Sequence, residues 1–239
     1  MDARRRTRSP RGSGEILAEE IIVAASDLLV EQDGDAKVSI RAVAGRVGVT
    51  PPSIYLHFAD KDALMDAVCA RYFEQLDSAM ADASVDIADP LERGLQQGLA
   101  YVRFALANPV LYRIAFRAPV VGGTSLLVDE VLAMSAYRRF AAVVGELADE
   151  GIFDHDDVYD IVLEMWAAAH GVASLMLTKP GLGWDDDLRH AENLMRAICI
   201  GRAGLGVLGP RVDHSYARGW LNEQRERVES PNDKMVKRR

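Results

Sequence analysis

Apolar residues recur at three- and four-residue intervals along almost the whole chain, and runs that alternate apolar with polar residues are absent. A chain patterned this way buries its apolar surface as helix stripes, which predicts an all-α fold. The first stripe spans about 15–32, with Leu17, Ile21, Ala24, Ala25, Leu28 and Leu29 on one face. Gly34 lies where a helix C-terminal glycine would sit. Asp60 caps a long helix in which Leu64, Val68, Tyr72, Leu76 and Met80 return every fourth residue. Asp89-Pro90-Leu91-Glu92 reads as a capping box with proline at the first helical position, opening a helix to about 107. Asn108-Pro109 repeats the signal for a short helix to about 117. A loop over 119–123 follows, then long helices over 124–150, 154–177 and 185–207, closed by Gly151, Pro180 and Gly209-Pro210. From Arg211 the chain is polar, with room for a short helix around 216–227.

The stretch after the first helix is the most heavily punctuated. Ser39 is a good N-cap, since its hydroxyl can accept from a free first-turn N–H. Gly48 ends that helix where a positive φ is needed. Thr50 caps a second short helix reaching Phe58, with Pro51 and Pro52 in its first turn. Pro52 disfavours the helical region for Pro51, so the helix proper is expected from Pro52. Two short helices joined by a glycine turn, packed on a preceding helix, make a helix-turn-helix. Ala44 is small where the two must approach, and Val43, Val47, Val49, Ile54 and Phe58 can close the three-helix core. Thr50, Pro52, Ser53, Tyr55 and His57 remain exposed. They are short or aromatic and mostly uncharged, which suits close approach to base edges and phosphates. A generic helical hairpin has the same pattern, so pattern alone leaves both readings open.

Charge is unevenly placed. The chain carries 28 basic and 36 acidic residues, net −8. Residues 1–14 hold Arg4, Arg5, Arg6, Arg8 and Arg11 against Asp2, so the remainder stands at −12. An acidic body with one basic arm can be oriented on a polyanion, although an idle solvated arm has the same composition. No apolar run reaches the roughly 20 residues that span a bilayer. Glu15, Glu19 and Glu20 interrupt anything resembling a signal peptide. The expected location is the cytoplasm, without a membrane partner. Cys69 and Cys199 form no metal pattern and read as small buried residues in a reducing compartment.

The segment from Ile16 to about Glu74 resembles the DNA-binding domain of the tetracycline-repressor (TetR) family. The match rests on the string from Ser39 to Phe58, above all Ala44, Gly48-Val49, Tyr55 and His57-Phe58, followed by Lys61 and Leu64. The resemblance implies a homodimer on a double-stranded DNA operator, each subunit laying residues 50–58 in the major groove. It implies DNA contacts from Arg41, Pro52, Ser53, Tyr55, His57 and Lys61. Ser39 and Thr50, at the two caps, complete the candidate DNA-binding set. Ile40 and Leu56 depart from the more polar residues of some members and are suited instead to thymine methyls.

The phrase Phe104-Ala-Leu-Ala-Asn-Pro-Val-Leu-Tyr-Arg-Ile-Ala-Phe116, with Trp166 and His170-Gly171, is similar to a TetR-family C-terminal domain named after its Trp, His and Gly. This second resemblance covers about 88–207 and implies a small-molecule sensor. Tyr101, Phe104, Tyr112 and Phe116 fall on two adjacent helices, and Phe140, Trp166 and His170 come from the next two. They form the candidate ligand pocket, expected to be mostly apolar and to take a small apolar ligand. Each ring also reads as plain core. His170, one turn after Trp166, suits a buried histidine hydrogen-bonded to a neighbour. Ala167, Ala168, Ala169 and Gly171 allow close helix approach, as a helix-pair dimer interface or a tight core requires.

Catalytic constellations are not found in the sequence. Asp154-His155-Asp156-Asp157 looks metal-like, but contiguous residues on a helix point apart, and helix capping explains them better. Gly201 to Gly206 resembles a glycine-rich loop but follows no strand. No GxSxG motif and no nucleophile beside a base occur. No cofactor and no metal site are expected, and no enzyme. The expected organisation is a basic arm over 1–14, a three-helix helix-turn-helix head over 15–76 with its motif at 39–58, a larger helical-bundle regulatory domain for ligand and dimerisation over 77–210, and a polar tail over 211–239. The expected function is transcriptional regulation, more specifically repression relieved by a ligand. The alternative is a helical ligand- or lipid-binding protein whose head does not bind DNA.

Overall fold

The structure is a computed structural model that describes residues 13–116, 126–184, 188–209 and 213–236, with the side chains of 13, 126–136 and 228–236 left out. The arginine arm before Ser13, the loop at 119–123, the helix starts expected at 124 and 185, and Pro210 lie outside the described residues. Every extended element described is helical. In chain order these are α1 (Ser13–Glu31), α2 (Ile40–Val47), α3 (Pro51–Tyr55), α4 (Lys61–Asp82), α5 (Pro90–Ala107), α6 (Pro109–Ala115), α7 (Leu126–Asp149), α8 (Val158–Thr178), α9 (Arg189–Leu208) and α10 (His214–Val236).

The capping residues explain most of these boundaries. The Ser39 hydroxyl accepts from Ala42 N (3.2 Å), Asp60 Oδ1 from Ala63 N (2.8 Å) and Asp89 Oδ1 from Glu92 N (2.9 Å), each satisfying a first-turn donor. Gly48 is left-handed at φ 81°, and its N–H returns to the Ala44 carbonyl. Four expectations are corrected. Thr50 occupies the cap position but turns its hydroxyl to Ser53, and α3 begins at Pro51 and ends at Tyr55. Glu92 does not complete a reciprocal box. Its carboxylate accepts from Gln96 and lies beside Arg196. Asn108 ends α5 and holds the cap position of α6, but its side-chain amide donates back to the Phe104 carbonyl (2.9 Å) and makes no cap bond to α6. The polar tail holds a 23-residue helix, α10, where a short one was expected.

Two hydrophobic cores organise the chain. The first gathers α1, α2, α3 and the start of α4 around Ile21, Ala25, Leu29, Val43, Ala44, Ile54, Leu64 and Val68, each no more than 2% exposed. The second is the body, with α5 at its centre against α4, α7, α8 and α9. Gly94 and Gly98 make that centrality possible: a methyl group on Gly98 would stand 2.6 Å from the Met195 sulfur, and one on Gly94 would stand 3.1 Å from a Val143 methyl. Leu64, Val68, Tyr72, Leu76 and Met80 are all buried, so the four-residue stripe of α4 runs out of the head core and into the body core.

Helix α6 is the second bridge. Val110, Tyr112 and Ala115 are buried, with Tyr112 and Ala115 in the body core, while Leu111 and Ile114 pack against the head. Arg113 pairs with Asp33 at the end of α1, and Arg71 of α4 pairs with Glu19. One stretch, His155–Thr178, is long and apolar enough to cross a membrane by length and composition, which corrects the expectation that no such run exists. In this fold it is a body helix, with Ile161, Val162, Met165, Ala169, Val172 and Ala173 buried. Farther on, the Trp220 ring of α10 lies over Gly204 of α9, within 3.7 Å of where a methyl would sit.

Candidate nucleic-acid interface and effector site

The head presents α3 with two unlike sides. Ile54 is fully buried and Phe58 nearly so, fixing one side against α1 and α4. On the other side Pro52, Tyr55 (53% exposed) and Leu56 (84% exposed) face outward. Ser53 and His57 are half-buried, and Arg41, Ser39 and Thr50 are exposed. The structure therefore brings the candidate residues of α2 and α3 together around one short helix. The Ser39 oxygen is used as a cap acceptor, which leaves its own O–H free to donate. Thr50 and Ser53 hydroxyls share a hydrogen bond of 3.0 Å. His57 lies beside the first turn of α1, 3.9 Å from where a methyl on Gly14 would stand. The Lys61 ammonium donates to the Asp35 carbonyl (2.8 Å), tying α4 to the α1–α2 loop with two donors left over.

In the body, Phe116 is the hub of an aromatic cluster. Its ring centroid lies 4.6 Å from His170, 4.8 Å from Tyr112, 5.3 Å from Phe73 and 6.5 Å from Tyr101. Trp166 is 6.4 Å from His170. Phe104 joins at the other end through Tyr72, 5.1 Å away. Phe140 does not belong to this cluster. It sits one to two turns nearer the start of α5 than Tyr101, with Gly94, Gly98, Met165 and Met195 around a void of only about 10 Å³.

The cluster is more polar than an apolar pocket. Tyr101 Oη lies 3.1 Å and Tyr112 Oη 3.0 Å from His170 Nδ1, and Tyr112 Oη is also 3.3 Å from the His170 carbonyl. A neutral imidazole has one lone pair at Nδ1. One consistent arrangement has Tyr101 donating to Nδ1 and Tyr112 to the carbonyl, with the tautomer assigned from this network. Burial pushes the His170 pKa down, which favours that neutral ring. Burial pushes Tyr112 up to about 12, opposed by hydrogen bonding with Ser174. Burial first, and then neighbouring Tyr112, push Tyr72 and Tyr101 up further. All three phenols therefore stay protonated as donors. Tyr72 Oη is buried and has no hydrogen-bond partner among the described residues. Tyr72 and Phe73 were not among the candidate pocket residues. The available signal was a tyrosine inside the apolar stripe of α4, a polar tip where only carbon was needed.

Comparisons with known proteins align with both regions. The family "Bacterial regulatory proteins, tetR family" matches residues 21–68, and "Tetracyclin repressor-like, C-terminal domain" matches residues 95–198, together more than half of the chain. The chain is 30% identical over 118 residues to the uncharacterized HTH-type transcriptional regulator YobS of Bacillus subtilis, covering 49% of this chain and 61% of that protein's length. It is 27% identical over 163 residues to another uncharacterized HTH-type transcriptional regulator, from Mycobacterium tuberculosis, covering 68% and 71%. A protein of unknown function from Rhodococcus sp. RHA1 superposes with a TM-score of 0.64 at 25% identity, over 83% of this chain and 97% of that one.

Proposed function

This chain belongs to the tetR family of bacterial regulatory proteins, and on that footing we propose that it is a cytoplasmic, homodimeric, sequence-specific DNA-binding repressor released by a small molecule. The observation that carries the reading is the two-sided α3. Its inner side is locked by Ile54 and Phe58, while its outer side offers Pro52, Tyr55 and Leu56 beside Arg41, Thr50 and Ser53. A short, rigidly seated helix of this kind can enter a major groove about 12 Å wide. Ser39, Arg41, Thr50, Tyr55 and His57 would meet the backbone, and Pro52 and Ser53 would lie near base edges. Lys61 would act by positioning the α1–α2 loop.

Dimerisation is assigned to the outer faces of α8 and α9. Leu163, Ala167 and Leu175 on α8, and Leu194, Ala197, Ile200 and Leu205 on α9, are exposed at helical spacing. Two copies pairing this face would make a four-helix contact and set the distance between the two α3 helices.

The effector would act on the Tyr101–Tyr112–His170 network, with Phe104, Phe116 and Trp166 as aromatic walls. A ligand entering among these rings and phenols would have to replace their hydrogen bonds, which favours an aromatic molecule bearing a hydrogen-bonding group over a purely apolar one. Tyr112 lies on α6, whose other face packs on the head. A ligand that takes over its hydrogen bonds favours a different seating of α6 and a different spacing of the two heads, which is a population shift. The test is recovery of genomic fragments bound by the full chain, followed by a screen of small aromatic molecules for release of the bound fragment. No enrichment of any sequence would refute the reading.

A further inference from the structure

The outer side of α3 carries one side chain whose exposure serves nothing within the fold. Leu56 is 84% exposed, the largest value among the exposed large hydrophobic residues. It remains helical at φ −73° and ψ −19°, so the geometry of α3 extends through it. At about 100° per residue, Leu56 lies on the same face as Pro52 four positions earlier, and that face is opposite the fully buried Ile54. The core contact of Ile54 therefore aims Leu56 directly away from the head.

Some polar groups nearby are engaged within the head, although Arg41 and the Tyr55 hydroxyl remain exposed. The Thr50 and Ser53 hydroxyls are bonded to each other, the Lys61 ammonium to the Asp35 carbonyl, and the Arg46 guanidinium to both carboxylate oxygens of Glu31. At Leu56 the outer side of α3 offers an apolar surface. In a major groove the apolar counterpart is the 5-methyl group of thymine, which no other base carries there.

We propose that Leu56 is a specificity-determining residue that packs on a thymine methyl in each half-site of the operator. The inference rests on the DNA-binding reading above and adds to it which chemical group this residue selects. Burying one methyl predicts about fourfold in affinity per half-site, equivalent to roughly 0.8 kcal/mol. Two symmetric half-sites predict about fifteenfold.

The test begins by selecting bound duplexes from a random-sequence pool with the full chain. Each thymine of the selected site is then replaced in turn by deoxyuridine, which removes the methyl and nothing else. The expected result is one symmetric thymine pair at which the wild-type chain loses about fifteenfold and Leu56→Ala loses nothing further. Reselection with Leu56→Gln should change the preferred base at that pair alone, towards adenine, whose N6 and N7 glutamine can engage. Should Leu56→Ala fail to fold, Leu56→Gln supplies the same comparison on the deoxyuridine series. Specific binding with no thymine methyl that separates the variants from wild type overturns this inference and leaves the DNA-binding reading standing. Failure to enrich any sequence overturns both.

Discussion

The head and the body of this chain pack their cores from different materials. Among the described buried residues of the head, Phe58 is the single ring, and the rest are Ile, Leu, Val and Ala. The body core holds Tyr72, Phe73, Tyr101, Tyr112, Phe140 and Phe153, with His170 at the meeting point of the tyrosine hydroxyls. An aliphatic core has one way to be well packed, and a defect in it is felt at once. A core containing three phenols and an imidazole has hydrogen bonds that can be exchanged among partners at small net cost. The contrast suits a reader that keeps one shape and a sensor that has two.

That contrast predicts a graded set of effects. Leu29→Ala, at a fully buried head position, should cost about 2–5 kcal/mol and take DNA binding with it. Thermal unfolding alongside a binding titration would check this, and a mild loss would mean the head core is looser than its packing suggests. Next, Tyr55→Ala should leave the melting temperature unchanged while lowering operator affinity by about 2 kcal/mol, near thirtyfold. Normal affinity with a normal melt would remove Tyr55 from the interface.

In the body the effects should be smaller and of both signs. Tyr101→Phe deletes a hydroxyl bonded to His170 and should cost about 1 kcal/mol. Tyr72→Phe deletes a buried hydroxyl without a partner and should be neutral or stabilising by up to about 1 kcal/mol. Denaturant unfolding of the two variants side by side tests whether the hydroxyls differ as described. Equal losses would mean that Tyr72 is bonded in solution.

The smallest effect is on pH dependence. Burial holds His170 below its ordinary value. As pH falls through about 6.5 the unfolded chain therefore binds the proton before the folded chain does. In that window the unfolded state carries more protons, so stability falls as pH falls. His170→Gln should remove part of that decline. An unchanged pH profile would show that the imidazole titrates equally in both states.

Much of this was legible in the residues themselves. The helix-turn-helix was written in Ser39, Gly48 and the prolines, because a cap and a left-handed turn are local requirements that sequence states directly. The α4 stripe was equally clear, since a four-residue spacing over five positions admits one buried face. Long-range partners were not legible. Nothing near Lys61 announces that its ammonium reaches the Asp35 carbonyl. Phe140 joins the other rings in a reading from sequence because sequence gives the helix and not the level along α5 at which its ring packs. Helix α10 was underestimated because its polar composition gives no apolar stripe to count.

One consequence of α4 remains. Its 22 residues form an unbroken rod with one end fastened in each core, about 33 Å long at 1.5 Å per residue. A rod of that length magnifies angle into distance. Tilting it by ~6° about its body end carries the other end ~3.4 Å, the rise of one base pair along a DNA strand. Tyr72 and Phe73, about halfway along the rod, would move by only about half as much, so a modest repacking of the body core around them is amplified to about one base-pair step at the head.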